Sequence, residues 1–404
     1  MNGFLGALIE AWAEFRVNKA RVVLSLVGVG VAVLAMTAVV GVGQIATQAQ
    51  IEQLEASSGR PATLYVGNPY NPVTGQPADG AKVAPVVAAL AERYGIRYVA
   101  ESSWLNAQVQ TPNGVQGGDG RGVDVPYGEM HRIALAEGHW FTDRDADRLM
   151  PAIVINDYLW RQLGSPPLSS HPTVTLLTDR TIQAAVIGVQ PGSPYESYPR
   201  FFILNSAWQA VQPTPAAMNG GTSWEFWVPT AISDELTARI KSEVSAALGD
   251  GWQVDVNRND YLAWGSSDPL GPLRLVLLGV AGLVLLLGAL GLVNISLVTV
   301  RQRIREIGIR RAFGATASRV FLAVMLESVV ATVVAGAIGV VLAILLVRND
   351  FVMQYIAPGV TDPPPFPAEA ALVGFLAATG VGALAGLLPA LIAVRVKVID
   401  AIRY

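Results

Sequence analysis

The sequence predicts a membrane α-helical protein of four transmembrane helices, with a large extracytoplasmic α+β domain inserted between helices 1 and 2. Three observations lead there. With 52% hydrophobic residues, 15% charged residues and a mean hydropathy of +0.42, the chain is too oily for an ordinary soluble enzyme. Four segments are free or nearly free of charge, each long enough to cross about 30 Å of hydrocarbon, which takes roughly 20 helical residues. Between the first and second of these lies a long, mixed stretch patterned like a folded domain. The 40 glycines and 25 prolines fall between patterned segments, which excludes disordered and collagen-like classes. With no cysteine, thiol catalysis, thiolate metal sites and disulfides are excluded too.

The spans are residues 22–45, 275–300, 320–347 and 370–394. The first is read as a retained helix, because its apolar run is too long for a signal peptide and no small-x-small cleavage site follows cleanly. Basic residues fix the direction. Arg16, Lys19 and Arg21 precede the first span, Arg301, Arg303, Arg305, Arg310, Arg311 and Arg319 join the second to the third, and Arg395, Lys397 and Arg403 follow the fourth. Those are the cytoplasmic sides, so the 301–319 loop and the 395–404 tail face inward and the domain at 46–271 and the 348–369 loop face outward. The outer domain carries 23 acids against 14 Lys and Arg, which argues against nucleic acid as a partner.

Within 46–271, strands are predicted at 63–66, 97–101, 152–156, 173–177, 181–189, 200–204, 225–229 and 253–257, and helices at 83–94 and 233–248. In the second helix Ser233 is expected to cap the first turn, and Leu236, Ile240, Val244 and Leu248 form an i, i+4 stripe for burial. Glycine and proline clusters at 67–80 and 112–122 predict loops; the second lacks the strand–loop–helix setting of a phosphate cradle and reads as a flexible connection. His131, His139 and His171 have no metal-ligand spacing, the acids Asp143 and Asp145 sit in a charged turn, and there is no Gly-x-Ser-x-Gly elbow. No catalytic residue or metal site is expected. The segment 46–271 is expected to fold by itself.

The inner loop is the most specific stretch, Gly291-Leu-Val-Asn-Ile-Ser-Leu-Val-Thr-Val-Arg-Gln-Arg-Ile-Arg-Glu-Ile-Gly-Ile-Arg-Arg-Ala-Phe-Gly-Ala-Thr316. Residues 305–313 predict a short helix: Glu306 precedes Arg310 by four in the favourable order, Gly314 suits a left-handed terminator, and Thr316 or Ser318 can cap the third span. Ile304, Ile307, Ile309 and Phe313 do not fall on one narrow stripe. On physics alone, the arginines either enforce topology or build a rigid knob between two spans. Apart from Glu327, the span centres hold no ionisable residue, which disfavours an ion-coupled carrier. Glu327, about 10 Å along the third span at 1.5 Å per residue, must pair, face a protein interface or be protonated. Asn294 is a candidate for an interhelical hydrogen bond, and Gly382 and Gly386 form a small-residue face.

The loop resembles the signature of MacB/FtsX-type ABC transporter permeases. The resemblance extends to Gly386-Leu-Leu-Pro-Ala390 and Ile399-Asp-Ala-Ile-Arg403 at the end, and to an amphipathic N-terminal helix at 1–21 with Phe4, Leu8, Trp12 and Phe15. More weakly, it includes Gly138-His-Trp-Phe141, Pro151-Ala-Ile-Val-Ile-Asn156 and Ala185-Val-Ile-Gly188. It implies a MacB-like exporter subunit in a bacterial cytoplasmic (inner) membrane, without a fused ATPase. The sequence holds no Gly-x-x-x-x-Gly-Lys-[Ser/Thr] phosphate loop, so ATP and Mg are expected on a separate ABC ATPase subunit and no cofactor on this chain. Coupling to that ATPase is assigned by the resemblance to Arg305, Glu306, Ile307, Gly308, Ile309, Arg310, Arg311, Phe313 and Gly314. A second permease, as homodimer or sister chain, is implied, together with membrane lipid and an extracytoplasmic adaptor or substrate-binding protein. The implied work is mechanotransmission, with export of a peptide, antibiotic or lipid; lipoprotein extraction and FtsX-like control of a cell-wall hydrolase share the architecture. A secondary transporter or a receptor without ATPase is the weaker alternative.

Overall fold

The computed structural model describes residues 19–192, 196–211, 222–249, 251–263, 271–349, 351–353 and 365–395, without the side chains of 19–26 and 273–274. Most of the expected N-terminal amphipathic helix, half of the 348–369 loop and nearly all of the tail lie outside the described residues. The chain forms two compact units, one of Met1–Gln48, Asp268–Ala357 and Pro363–Tyr404 and one of Ala49–Ser267 and Pro358–Asp362.

The second unit is built on a ten-stranded mixed sheet. In chain order its elements are the outer part of helix α1 (Lys19–Ser58), β1 (Thr63–Val66), α2 (Gly80–Tyr94), β2 (Tyr98–Thr111), β3 (Gly114–Val123), α3 (Tyr127–Met130), β4 (Glu137–Gly138), β5 (Ala152–Asn156), α4 (Asp157–Gln162), β6 (Thr173–Leu177), β7 (Thr181–Gln190), β8 (Arg200–Leu204), α5 (Asn205–Val211), β9 (Thr222–Trp227), α6 (Ser233–Leu248) and β10 (Val256–Arg258). The strand order is β10-β1-β9-β2-β3-β8-β5-β7-β4, with β6 bonded to β2 and β7. Only β3–β8 and β5–β7 run parallel.

Two of the cores divide this sheet. Helices α2 and α6 cover β1, β9 and β10 through Val83, Val87, Leu90, Leu236, Ile240 and Val244, packed on Leu64 and Phe226. Each such side chain, fully buried, contributes about 1.5–3 kcal/mol. On the other part, α4 and α5 bring Leu159, Trp160 and Trp208 onto β5, β6, β7 and β8. Asn156 joins these elements: its Oδ1 accepts from Leu159 N at 3.2 Å, capping α4, and from Arg200 N at 3.1 Å, while its Nδ2 donates to Tyr198 O at 3.0 Å.

Several expectations change. Helix α1 runs thirteen residues past the expected end at Ile45, because the segment after it is rich in Ala, Gln and Glu, all good helix formers. The stretch read as a flexible connection at 112–122 is mostly strand β3, paired along β2 from Ser102↔Val123 to Thr111↔Gly114. Its glycines make room for a ring: a Cβ on Gly120 would lie 2.3 Å from Phe201, and one on Gly118 3.2 Å from it. The strand expected at 97–101 is accordingly longer, the one expected at 253–257 shrinks to β10, and α3, α4 and α5 are additional. Ser233 does not cap α6; it is buried and its hydroxyl donates to Thr230 O at 3.0 Å.

In the first unit, α7 (Gly271–Gln302), α8 (Ile304–Ala312), α9 (Ala317–Val347) and α10 (Ala368–Arg395) join the inner part of α1. Four helices are long and apolar enough to cross a membrane, at 27–58, 275–302, 317–347 and 368–395. They meet through small residues. A Cβ on Gly382 would lie 1.9 Å from Thr332 Oγ1, one on Gly336 2.4 Å from Ala378, and one on Gly374 1.9 Å from Thr37 Oγ1. Gly382 and Gly386 thus face α9 of the same chain, letting the backbones approach.

Candidate functional site

The loop between α7 and α9 is a folded knob. Arg303 breaks the helix, its backbone N–H still donating to Thr299 O and Val300 O at 3.1 Å, and α8 starts at the next residue. Ile307, 8% exposed, packs with Val300, Val320 and Ala393, so the buried side of α8 touches the ends of three helices. On that side Arg311 Nη1 donates to Val394 O of α10 at 2.9 Å. At the far end, Gly314 has φ +93°, a left-handed backbone that favours glycine, and Thr316 caps α9 by accepting from Arg319 N at 3.4 Å.

The other side of α8 faces away from the chain. Ile309 is 46% exposed and Phe313 89%, with Arg305, Glu306 and Arg310 exposed around them. Arg310 Nη2 and Glu306 Oε1 pair at 2.7 Å, an exposed i, i+4 bridge worth about 0.3–0.5 kcal/mol. The four apolar residues therefore split by role: Ile307 is buried and Ile304 half-buried, while Ile309 and Phe313 stand outside.

Glu327 sits on α9 with Arg303 Nη1 at 3.5 Å from both carboxylate oxygens. Both side chains are only partly covered by protein, and Glu327 lies within a membrane span, where the uncovered part faces lipid, so the pairing with Arg303 offsets the cost of a carboxylate there. Sequence reasoning did not single out Arg303 for this; the two residues are 24 positions apart, one at the break between α7 and α8 and the other on α9. Asn294 differs from its expectation. It lies exposed on α7 and makes no interhelical hydrogen bond among the described residues, because α7 is the span least covered by its neighbours.

In the outer unit, the histidines read as lacking ligand spacing stand apart from any cluster of three or more His, Asp or Glu among the described residues. His131 is buried, its Nε2 2.5 Å from Glu225 Oε2 and its ring stacked on Tyr127 at 3.9 Å. Trp140 of the Gly-His-Trp-Phe stretch donates from Nε1 to Val125 O at 3.0 Å and packs edge-on against Phe202. Asp145 caps its own turn: burial works against its carboxylate, but hydrogen bonds from Thr142 N and Oγ1 and the Arg148 guanidinium prevail and lower its pKa. These are structural roles.

A family model described as MacB-like periplasmic core domain matches residues 22–248, more than half of the chain, and one described as FtsX-like permease C-terminal matches 278–398. The chain belongs to the MacB/FtsX-type permease family. The second match takes in the knob and the three helices that hold it. This MacB/FtsX-type permease is 26% identical over 414 residues to the macrolide export ATP-binding/permease protein MacB of Escherichia coli O6:K15:H31 (strain 536 / UPEC), and likewise to that of Shigella flexneri. Each alignment covers all of this chain and 61% of the relative, so the chain spans about three fifths of the length of these curated relatives. The extracellular domain of the ABC-type transporter YknZ from Gram-positive bacteria aligns with a TM-score of 0.38 at 13% identity, over 48% of this chain and 99% of that one. The periplasmic region of MacB from Actinobacillus actinomycetemcomitans aligns with a TM-score of 0.36 at 15% identity, over 49% and 90%.

Proposed function

We propose that this chain is the permease subunit of an ABC exporter, moved by a separate cytoplasmic ATPase that binds ATP and Mg and presses on α8. One observation carries the reading: α8 is fastened on one side by Ile307 and Arg311 and offers Ile309 and Phe313, ringed by charge, on the other. A solvent-facing Phe of that exposure beside a cationic ring is the composition of an interface anchor with a polar rim. Because α8 is wedged among α7, α9 and α10, a displacement of the knob tilts the spans and reshapes the outer domain without threading cargo through the bilayer. A second permease, identical or sister, completes the assembly; exposed Asn294 on α7 supports it, since an amide in an apolar face gains from a partner across the seam. The macrolide export of the MacB relatives favours an amphiphilic compound as cargo.

The test is Arg310→Glu combined with Phe313→Ala, leaving Arg311 in place because it holds the knob to α10. We expect at least a tenfold loss of co-purifying ATPase with unchanged thermal unfolding of the permease. Undiminished co-purification and transport would overturn the coupling role. An adaptor among the captured proteins supports export; a cell-wall hydrolase supports the regulatory reading instead.

A further inference from the structure

We propose that the first unit holds a lipid site of its own, a pocket for the primary-ammonium headgroup of an outer-leaflet ethanolamine phospholipid, separate from the knob and independent of the exporter reading. The pocket, about 230 Å³, is lined by Val39, Val40, Gly43 and Gln44 of α1, Leu277 and Leu278 of α7, and Glu369 and Val373 of α10. These residues lie toward one end of the apolar stretches of their helices. Gln44 is at the end of the apolar run of α1, Leu277 is in the second turn of α7, and Glu369 is in the first turn of α10. The site is therefore at the level where hydrocarbon gives way to headgroups on the side that carries the outer domain.

Its chemistry is one-sided. The walls are Val and Leu, and the polar groups are acceptors in need of a donor. Gln44 Nε2 donates to Glu369 Oε2 at 3.2 Å, which fixes the amide's orientation, since the flipped amide would set its oxygen against the carboxylate. That leaves Gln44 Oε1 buried without a partner, a costly state for a carbonyl at the edge of hydrocarbon. A primary ammonium, with three N–H donors and a positive charge, meets the Glu369 carboxylate in this apolar setting. A lone phosphate or a quaternary ammonium does not: the first is repelled by Glu369, and the second has no N–H to give. The volume is below the about 300–1,000 Å³ of drug-sized pockets and suits a headgroup with the start of one acyl chain.

One wall position is a glycine whose Cβ side is open, as it also is at Gly28, Gly279, Gly282, Gly291 and Gly380 elsewhere in the spans. Unlike Gly336, Gly374 and Gly382, which touch a neighbouring helix, Gly43 has no atom within 4 Å of where its Cβ would be. Helix packing does not require glycine there, and glycine costs a helix about 1 kcal/mol relative to alanine. Its bare backbone keeps the pocket open.

The experiment is native mass spectrometry of the full chain, released from nanodiscs of equal phosphatidylethanolamine and phosphatidylglycerol, for wild type, Glu369→Gln and Gly43→Leu. Circular dichroism melting serves as the folding control, and Gly43→Leu is expected to fold normally because its side chain enters open space. The proposal expects phosphatidylethanolamine retained at least tenfold over phosphatidylglycerol by wild type, and that preference lost in both variants. Equal retention of the two lipids, or a preference indifferent to both substitutions, overturns it. Displacement of the lipid by dodecylamine but not by dodecyltrimethylammonium supports the ammonium contact; retention of dodecylamine with no retained phospholipid overturns the lipid assignment.

Discussion

In the outer unit, α2 and α6 meet the sheet through Val83, Leu90, Ile240 and Phe226, whereas α9 and α10 meet through Gly336, Ala378, Thr332 and Gly382. The solvent explains the difference. In water, burying large apolar side chains is favourable in proportion to their area, so Phe226 at 0% exposure and Trp208 at 1% anchor their cores. In lipid, a leucine gains little by exchanging a hydrocarbon neighbour for a helix, so cohesion comes from close backbone approach, and the large residues Leu283, Leu287, Leu345 and Leu384 are left outside. Several hydroxyls in the spans are satisfied within their own helix, as Thr332 Oγ1 is by Ser328 O at 3.0 Å, whereas the buried Thr37 Oγ1 has no partner among the described residues.

The comparison breaks most sharply at Phe226. Phe226→Ala is expected to cost the outer unit about 3–5 kcal/mol, read as an earlier calorimetric transition while helical dichroism from the spans persists. A single transition moving as one, or no shift, would erase the division of labour between the regions. Gly382→Leu tests the other side: forcing a side chain against Thr332 is expected to cost about 1–3 kcal/mol, seen as faster thermal aggregation in detergent, whereas the same substitution at Gly43 is tolerated. If both leucine variants behave alike, close approach is not what holds the spans together.

The smallest effect sharpens the outer unit's electrostatics. Burial first, and then the neighbouring Asp124 charge, push the Glu101 carboxyl up to about 7 from an ordinary 4.5. An acid with a raised folded pKa binds its proton more tightly folded than unfolded, so stability falls as pH rises from about 4.5 to about 7 and the full penalty is present above that. Glu101→Gln is therefore expected to stabilise the protein above pH 7 by on the order of 1 kcal/mol, discounted for partial exposure, and to have little effect near pH 4. Melting curves at both pH values check it; equal gains at both would refute the assignment.

The spans were legible because length and apolarity suffice to mark them, and the i, i+4 stripe of α6 because Leu236, Ile240 and Val244 repeat with the helix. Strand β3 was illegible for a physical reason. Its glycines carry the mark of a loop, and what makes them a strand is a ring from Phe201, some eighty residues away. The polar continuation of α1 is not marked by hydrophobicity, which ends near Ile45 although helix propensity continues. At the inner loop, sequence identified the helix, its ion pair and its terminating glycine. It did not reveal which apolar residues anchor and which protrude, since Ile307 is sorted from Ile309 by Val300, Val320 and Ala393. The pocket at Gln44 draws on three distant segments and left no local trace.

Arg311 ties two distant stretches of the first unit together. By gripping the carbonyl of Val394, it makes the last helix a passenger of the loop two helices earlier. A load applied at Phe313 is shared between the posts on either side of the elbow and a third that the chain reaches only at its close. Cutting that one strut would leave a handle still able to be grasped, yet turning one bolt fewer.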